Sequence, residues 1–216
     1  MKSLTKQIES RMQFAPRDVY FPSDFFDLGD VLRVNKALSR MTQNGQAWRL
    51  ARGIYTTYVS NRFGRAMPST ESLVASYAKK VGEVITEIGA VAINALGFST
   101  QNVLREIYLT SGKPMTWDRE ARTVEFRKGT KVELFFGNTL EGILVRAWHS
   151  MGEDESADAL SMLKTDAALR VDWDAIINVV GILPDWMVRL ARKGKLHTWN
   201  RGDGHDVLCT RRHGAI

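Results

Sequence analysis

Residues 22–58 read PSDFFDLGDVLRVNKALSRMTQNGQAWRLARGIYTTY. The residues of this stretch that begin and end helices and turns decide the fold of the N-terminal part. Pro22 suits the first turn of a short helix, PSDFFDL, which Gly29 ends. Asp30 can accept hydrogen bonds from the free amides of the next turn, so it predicts the start of a longer helix, VLRVNKALSRMTQ. The aromatic and β-branched segment that follows is divided by Arg52-Gly53, which predicts a hairpin because glycine tolerates the positive φ of a tight turn.

The residues before this stretch extend the pattern. Leu4, Ile8 and Met12 recur every four residues with polar residues between them, which is typical of an amphipathic helix over residues 3–13. Residues 19–21 favour a short strand. The predicted order is therefore helix, short strand, helix, helix and hairpin, which is the order of a winged helix-turn-helix. We expect residues 1–62 to form such a DNA-binding domain, with Phe21 standing directly before Pro22 and Ser23 supplying any side-chain cap.

The third helix of this order has two contrasting faces. Spacing predicts that Val31, Val34, Leu38 and Met41 are buried, while a basic stripe of Arg33, Lys36, Arg40 and Gln43 faces outward. A helix in this position lies in the major groove of DNA, and the hairpin becomes the wing, held to the helices by Trp48, Leu50 and Ile54. The candidate DNA-contacting residues are Arg33, Asn35, Lys36, Ser39, Arg40, Gln43, Arg49 and Arg52.

The pattern leaves several alternatives open on this surface. Arginine and lysine bond guanine and asparagine or glutamine bonds adenine, but all of them also contact phosphates, so the base-reading residues stay open. A basic helix face can also be a solvated surface. For Trp48, Tyr55 and Tyr58, packing of the hairpin is favoured over base stacking, because alternation in a strand turns at least half of such side chains inward.

The charge distribution favours the same region. The net charge is +6, and residues 1–62 hold ten Lys and Arg against five Asp and Glu, whereas residues 63–216 hold twenty against nineteen. Most of the excess positive charge, which favours anionic partners, therefore lies in the first quarter. One cysteine, Cys209, excludes an internal disulfide framework. The start has no signal-peptide pattern and no apolar stretch reaches membrane-spanning length, so we expect a cytoplasmic protein with no membrane partner.

Residues 63–216 predict a second, larger domain of mixed helices and strands. Residues 61–70 are typical of a linker, and Pro68 to Glu71 begin a helix. A strand over residues 84–88, the helical AVAINAL, the strands REIYLTSG and ARTVEFRKG around a polar turn, and the short KVELFF follow. Residues 139–192 are mostly helical by pattern, with Glu153, Asp154, Glu155 and Asp158 in an exposed loop. The fold class is therefore α+β, a winged helix-turn-helix followed by a mixed α/β domain.

Other motifs are weaker. Asp172 and Asp174 resemble the paired carboxylates of nucleotidyltransferases, and Gly97-Phe98-Ser99 resembles their Gly-Ser turn, but the two motifs are far apart in the chain, so a helix start at Asp172 is favoured. His205, Cys209 and His213 lack the fourth ligand of a structural zinc site. We expect no metal and no cofactor. The stretch from Arg189 onward is strongly basic, either as a mobile tail or as a second nucleic-acid contact.

Taken together, the strings DFFDLG, ALSRM, NGQAWRLARGIY, PSTESLVASYA, NALGFSTQ, YLTSG and RTVEFR resemble, in order and spacing, the AbiE-type abortive-infection antitoxin family. The resemblance covers residues 17 to about 150 and is loose beyond them. The members of this family are type IV antitoxins that pair with nucleotidyltransferase-like toxins.

This resemblance implies a non-enzymatic, DNA-binding transcriptional repressor and antitoxin. Its N-terminal winged helix would bind double-stranded operator repeats of its own operon, as a homodimer or cooperatively. Its C-terminal domain would counteract the toxin, acting on the toxin's target rather than through a stable complex. The alternatives are a nucleotidyltransferase with a DNA-binding leader, a regulator without an antitoxin role, and a protein-interaction module whose basic helix faces an acidic partner.

Overall fold

A computed structural model describes residues 3–14, 18–62, 64–101, 103–119, 122–163, 170–179 and 181–202 of the chain. The N-terminal segment contains α1 (Leu4–Phe14), a 3-10 helix (Pro22–Phe25), α2 (Val31–Gln43), β1 (Trp48–Ala51) and β2 (Ile54–Thr56). β1 and β2 pair antiparallel, and a bridge joins Tyr20 to Tyr55. These elements follow the predicted order, except that the second helix is a single 3-10 turn and the strand predicted over residues 19–21 is only a bridge at Tyr20.

The predicted linker instead contains a second hairpin. β3 (Val59–Asn61) and β4 (Gly64–Ala66) pair antiparallel, with Val59 opposite Ala66. Gly64, the first residue of β4, has a φ of 118°, which is open to glycine and strained for other residues. The composition of residues 61–70 predicts a break in regular structure, but this range includes Asn61 of β3 and all of β4, which are paired.

The remaining elements are as follows: α3 (Thr70–Val81), β5 (Ile85–Glu87), α4 (Gly89–Ala95), β6 (Glu106–Thr110), β7 (Met115–Arg119), β8 (Arg122–Lys128), α5 (Lys131–Leu134), α6 (Leu140–Met151), α7 (Glu153–Met162), α8 (Trp173–Ile177) and α9 (Asp185–Gly202). The strands β5 to β8 form a sheet in the order β5-β6-β8-β7. The fold is therefore α+β. In the described ranges, no helix combines the length and the apolar composition needed to cross a membrane.

Contacts divide the chain into two compact units. The first unit comprises Met1–Ile85, Arg105–Ile107 and Gly112–Arg127, and the second comprises Thr86–Leu104, Tyr108–Ser111 and Lys128–Ile216. This division groups α3 and the β7-β8 hairpin with the N-terminal elements. The domain boundary that composition predicts at residue 62 stays a prediction.

The first unit has an apolar core beneath α2. Side chains of α1, the 3-10 helix, α2 and the β1-β2 hairpin meet in one cluster that includes Ile8, Phe25, Leu38 and Tyr55. The Tyr20 hydroxyl donates to the carbonyl oxygen of Met12 at 3.1 Å, which satisfies the polar end of this buried ring. A further aromatic group, Tyr77, Trp117 and Phe126, joins α3 to β7 and β8, with 5.3 Å between the ring centroids of Tyr77 and Trp117.

The second unit is built around α6. Leu144, Val145 and Trp148 are fully buried there, and α4, α8 and α9 contribute further members of the cluster. Arg146 is also buried, and its Nη1 donates to the carbonyl oxygen of Gly137 at 2.5 Å. Burial lowers the pKa of Arg146 to about 10, against the opposing effect of Glu87 and Glu133, so the side chain stays charged at neutral pH.

Three segments differ from their predicted structure. KVELFF begins a helix rather than a strand: the Thr130 hydroxyl accepts from the Glu133 amide, and the Glu133 carboxylate accepts from the Thr130 amide at 2.8 Å. The acidic run from Glu153 forms the first turns of α7 rather than a loop, where carboxylates complement the positive end of the helix. β7, which includes the buried Trp117, stands where the sequence predicts part of a polar turn.

Candidate nucleic-acid interface

The start of α2 is set by Asp30. Its Oδ1 accepts a hydrogen bond from the backbone amide of Arg33 at 2.9 Å, which confirms the predicted cap. The helix ends at Gln43, and Gly45 follows with a φ of 66° that reverses the chain toward β1. Between these two ends, α2 carries six of the eight candidate DNA-contacting residues.

The inner face of α2 holds it firmly in the first unit. Val34, Leu38 and Met41 are at most 1% exposed, and Ala37 is 5% exposed. Val31, predicted to be buried with them, is 51% exposed, because the first turn of α2 extends beyond the core cluster and Ala37 occupies the inner face instead. A helix fixed along one side presents its other side as a rigid surface.

The outer face of α2 is polar except for Leu32, and it carries no acidic residue. All of the candidate contact residues on this helix are exposed: Arg33, Asn35, Lys36, Ser39, Arg40 and Gln43. The guanidinium Nε of Arg33 lies 3.4 Å from the Asp30 carboxylate, an exposed pair that holds the side chain only weakly. The structure therefore brings these residues onto one side of one helix.

The β1-β2 hairpin carries the other two candidates. Arg52 is exposed in the turn beside Gly53, whose φ is 78°, as predicted. Arg49 is exposed on β1, and its Nε donates to the carbonyl oxygen of Ala51 at 3.4 Å. Leu50 and Ile54 are buried, as predicted for the inner side of the hairpin.

The tryptophan of the hairpin packs elsewhere than expected. The Trp48 indole Nε1 donates to the carbonyl oxygen of Asp118 at 2.7 Å, so this half-buried ring lies against β7 rather than only against the helices. Tyr55 is buried and Tyr58 is half-buried, with the Arg65 guanidinium 5.1 Å from its ring centroid. These contacts agree with packing rather than base stacking.

The turn between the 3-10 helix and α2 is anchored to α1 by an ion pair. The two terminal nitrogens of Arg11 donate to the two carboxylate oxygens of Asp27, each at 2.6 Å. The hydrogen bonds from Arg11 hold the pKa of the Asp27 carboxyl below its usual range. The amide of Phe21 donates to the Asp24 carboxylate at 2.8 Å, so Asp24 rather than Ser23 supplies the side-chain bond at this helix start.

Sequence reasoning missed one residue of this surface and one exposed cation of the β3-β4 hairpin. Leu32 is 82% exposed beside Arg33, and its spacing of four, seven and eleven residues to Lys36, Ser39 and Gln43 was a readable signal. Arg65 is exposed on β4 and was hidden by the linker interpretation.

The residues of the alternative enzyme site have structural partners. The Asp172 carboxylate accepts from the Ala175 amide at 3.0 Å, which confirms the helix start, and Asp174 pairs with the Lys195 ammonium at 2.6 Å. Within the part of the chain that the structure describes, no three His, Cys, Asp or Glu side chains are grouped so that they could hold a metal ion. His205, Cys209 and His213, and the basic residues after 202, lie outside the described residues.

The chain is thus an α+β protein whose first unit presents a rigid helix with a basic outer face. A family model matches residues 7–171, and the chain belongs to that family, a family of unknown function, DUF6088. The matched span includes α2 and the β1-β2 hairpin and ends before α8 and α9. No curated protein and no solved structure matches the chain.

Proposed function

We propose that this protein is a DNA-binding transcriptional regulator that represses its own operon. The first unit acts as a winged helix-turn-helix: α2 enters the major groove and the β1-β2 hairpin contacts the flanking backbone as the wing. The observation that carries this proposal is the outer face of α2, where six polar or basic side chains are exposed and no carboxylate intervenes. Repression occurs by occlusion of a promoter, with no chemistry.

Charge and rigidity both support this assignment. Arg33, Lys36 and Arg40 project from one helix whose inner face is almost completely buried, so they reach a phosphate backbone without reordering the helix. Arg52, at the hairpin turn, adds a fourth cation within the same unit. A single winged helix makes few contacts, so the protein binds repeated half-sites as a dimer or cooperatively.

The test is a salt titration of binding to duplex DNA from upstream of its own gene, measured by gel shift or fluorescence anisotropy. Replacing both Arg33 and Arg40 with alanine is expected to weaken binding and to reduce the slope of log K against log salt by about 2, because each lost phosphate contact removes about 0.9 released counterion. The matched control is Lys6→Ala with Lys79→Ala. It removes the same charge from exposed positions on α1 and α3 and should leave most of the slope intact.

Unchanged affinity and slope in the Arg33→Ala, Arg40→Ala protein would overturn the assigned face. Failure of the unaltered protein to bind any duplex DNA would overturn the function itself. An acidic protein partner that binds α2, with duplex DNA unable to compete, would support the interaction-module alternative.

The antitoxin role is a further part of the proposal and is supported by the sequence resemblance to AbiE-type antitoxins. Under it, the adjacent gene encodes a nucleotidyltransferase-like toxin, and co-expression of this protein restores growth. Because neutralisation of the toxin is assigned to the predicted domain of residues 63–216, the Arg33→Ala, Arg40→Ala protein should still restore growth. Loss of both activities in that variant would contradict this division, and DNA binding without rescue would leave a regulator with no antitoxin role.

A further inference from the structure

The burial pattern of α2 defines which side chains point farthest from the unit. In an α-helix each residue turns by about 100°. On that geometry Leu32, Lys36, Ser39 and Gln43 fall within roughly 60° of one another and stand roughly opposite the buried Val34, Ala37, Leu38 and Met41. We call these four residues the outer stripe. Arg33 and Arg40 lie on one flank of the helix, roughly 80° from its centre.

This arrangement separates two kinds of contact. A helix that occupies the major groove directs its outermost side chains to the base edges and its flanks to the groove walls, where the phosphates lie. The outer stripe therefore faces the bases, and the arginines of the flank face one strand's backbone. Sequence spacing predicts one continuous stripe of Arg33, Lys36, Arg40 and Gln43, and only the burial of the opposite face shows that its two arginines lie to one side.

The exposed leucine of the outer stripe requires an apolar group as its binding partner. Leu32 is 82% exposed and, among the described residues, belongs to no buried apolar cluster of the first unit, while Arg33 follows it and Lys36 stands one turn later on α2. In the major groove the apolar feature among the base edges is the C5-methyl group of thymine. The cations beside Leu32, with no acidic residue along α2, favour a polyanion over a protein pocket as the surface that covers it.

We propose that Leu32 is a specificity-determining residue that contacts the methyl group of a thymine when α2 lies in the major groove. This inference rests on the proposed DNA-binding function and deepens it. Lys36, Ser39 and Gln43 supply the hydrogen bonds to neighbouring bases along the outer stripe, while Arg33 and Arg40 contribute affinity without base preference.

The experiment begins with selection of duplexes from a random pool by the full chain, which yields a preferred site. Each thymine of that site is then replaced singly by uracil, which removes only the C5-methyl group, and affinities are measured for the unaltered protein and for Leu32→Ala. At one position the unaltered protein is expected to lose about fourfold in affinity, the effect of exposing one buried methyl group. Leu32→Ala should bind the thymine duplex equally weakly and make no distinction between the two bases there.

Val31→Ala is the matched control. It removes an apolar side chain from the same turn, but Val31 is 51% exposed and lies on the flank opposite Arg33. This variant should keep the full distinction between thymine and uracil. Because Leu32 lies outside the core, Leu32→Ala should also retain its helical circular dichroism and its unfolding midpoint, so a loss of discrimination reports the contact rather than the fold.

The outcomes distinguish failure of the Leu32 proposal from failure of the proposed DNA-binding function. Selective DNA binding with equal thymine preference in the unaltered protein and in Leu32→Ala would overturn the role of Leu32 and leave the proposed function standing. Binding that is insensitive to every thymine-to-uracil replacement would also overturn the inference alone. A protein that selects no duplex from the pool would overturn both.

Discussion

At the scale of single residues, side-chain hydrogen bonds set where the helices of the first unit begin. Asp30 begins α2, Asp24 begins the 3-10 helix, and Ser69 begins α3 by accepting from the Ser72 amide at 3.2 Å. Each acceptor satisfies an amide that the first turn of a helix leaves without an internal partner. Two of these caps follow from residue type alone, whereas the role of Asp24 depends on its reaching back three residues to Phe21.

The Arg11–Asp27 pair gives a pH-dependent prediction. Since Arg11 lowers the pKa of Asp27, the pair's contribution to stability is present above the ordinary aspartate pKa and is lost as the pH falls through the lowered value. Arg11→Gln should return the Asp27 pKa toward its ordinary value in an NMR titration of the carboxyl carbon. The stability difference between the two proteins should vanish in acid.

Arg127→Gln is the control for this prediction. It removes a comparable exposed ion pair with Glu125, 2.7 Å long, elsewhere in the same unit. It should leave the titration of Asp27 unchanged. If Asp27 still titrates below the ordinary range in Arg11→Gln, the cause lies in another group and the anchoring role of Arg11 is wrong.

At the scale of elements, packing between helices decides whether a small residue is replaceable. Gly194 lies within α9, where alanine would ordinarily favour the helix by up to about 1 kcal/mol. A β-carbon at this position would lie 2.4 Å from the ring of Trp173, which is 5% exposed and stacked on Trp148. The tertiary contact therefore opposes the local preference.

We expect Gly194→Ala to lower the free energy of unfolding by about 1–3 kcal/mol, the usual cost of overpacking a well-filled core. Urea denaturation of the full chain measures it. Lys193→Ala, an exposed replacement one residue earlier in α9, should change stability by less than about 0.5 kcal/mol. A Gly194→Ala protein as stable as the parent would mean that α8 and α9 are not packed this closely.

At the scale of the whole molecule, the regulator and the enzyme alternatives make opposite predictions. The carboxylates of Asp172 and Asp174 are engaged by the start of α8 and by Lys195. We therefore expect the purified chain, supplied with Mg²⁺ and labelled nucleoside triphosphates, to transfer no nucleotide to protein or RNA. Transfer that Asp174→Asn abolishes would refute the regulator proposal and establish the nucleotidyltransferase.

Much of the first unit could be predicted from sequence because its signals are local. Helix periodicity over residues 4–14 and 31–43, the Asp30 cap and the turn at Gly53 all depend on residues within one or two turns of each other. The expectations failed where strand pairing or a reciprocal cap outweighed the local composition. β7 is a strand because it pairs with β8, Met115 opposite Phe126, and α5 is a helix because Thr130 and Glu133 cap it reciprocally.

The candidate surface on α2 also has features that the sequence predicts and features that only the tertiary structure decides. Residue types and their helical spacing determined by themselves that α2 has an apolar and a polar face, and that its polar face is basic. Only the tertiary structure decided where that face points. Burial of Ala37 in place of Val31 turns the helix so that Leu32, Lys36, Ser39 and Gln43 stand outermost and Arg33 and Arg40 lie to one side. The physical reason is that periodicity defines a direction within a helix, whereas its orientation in the molecule depends on the core against which it packs.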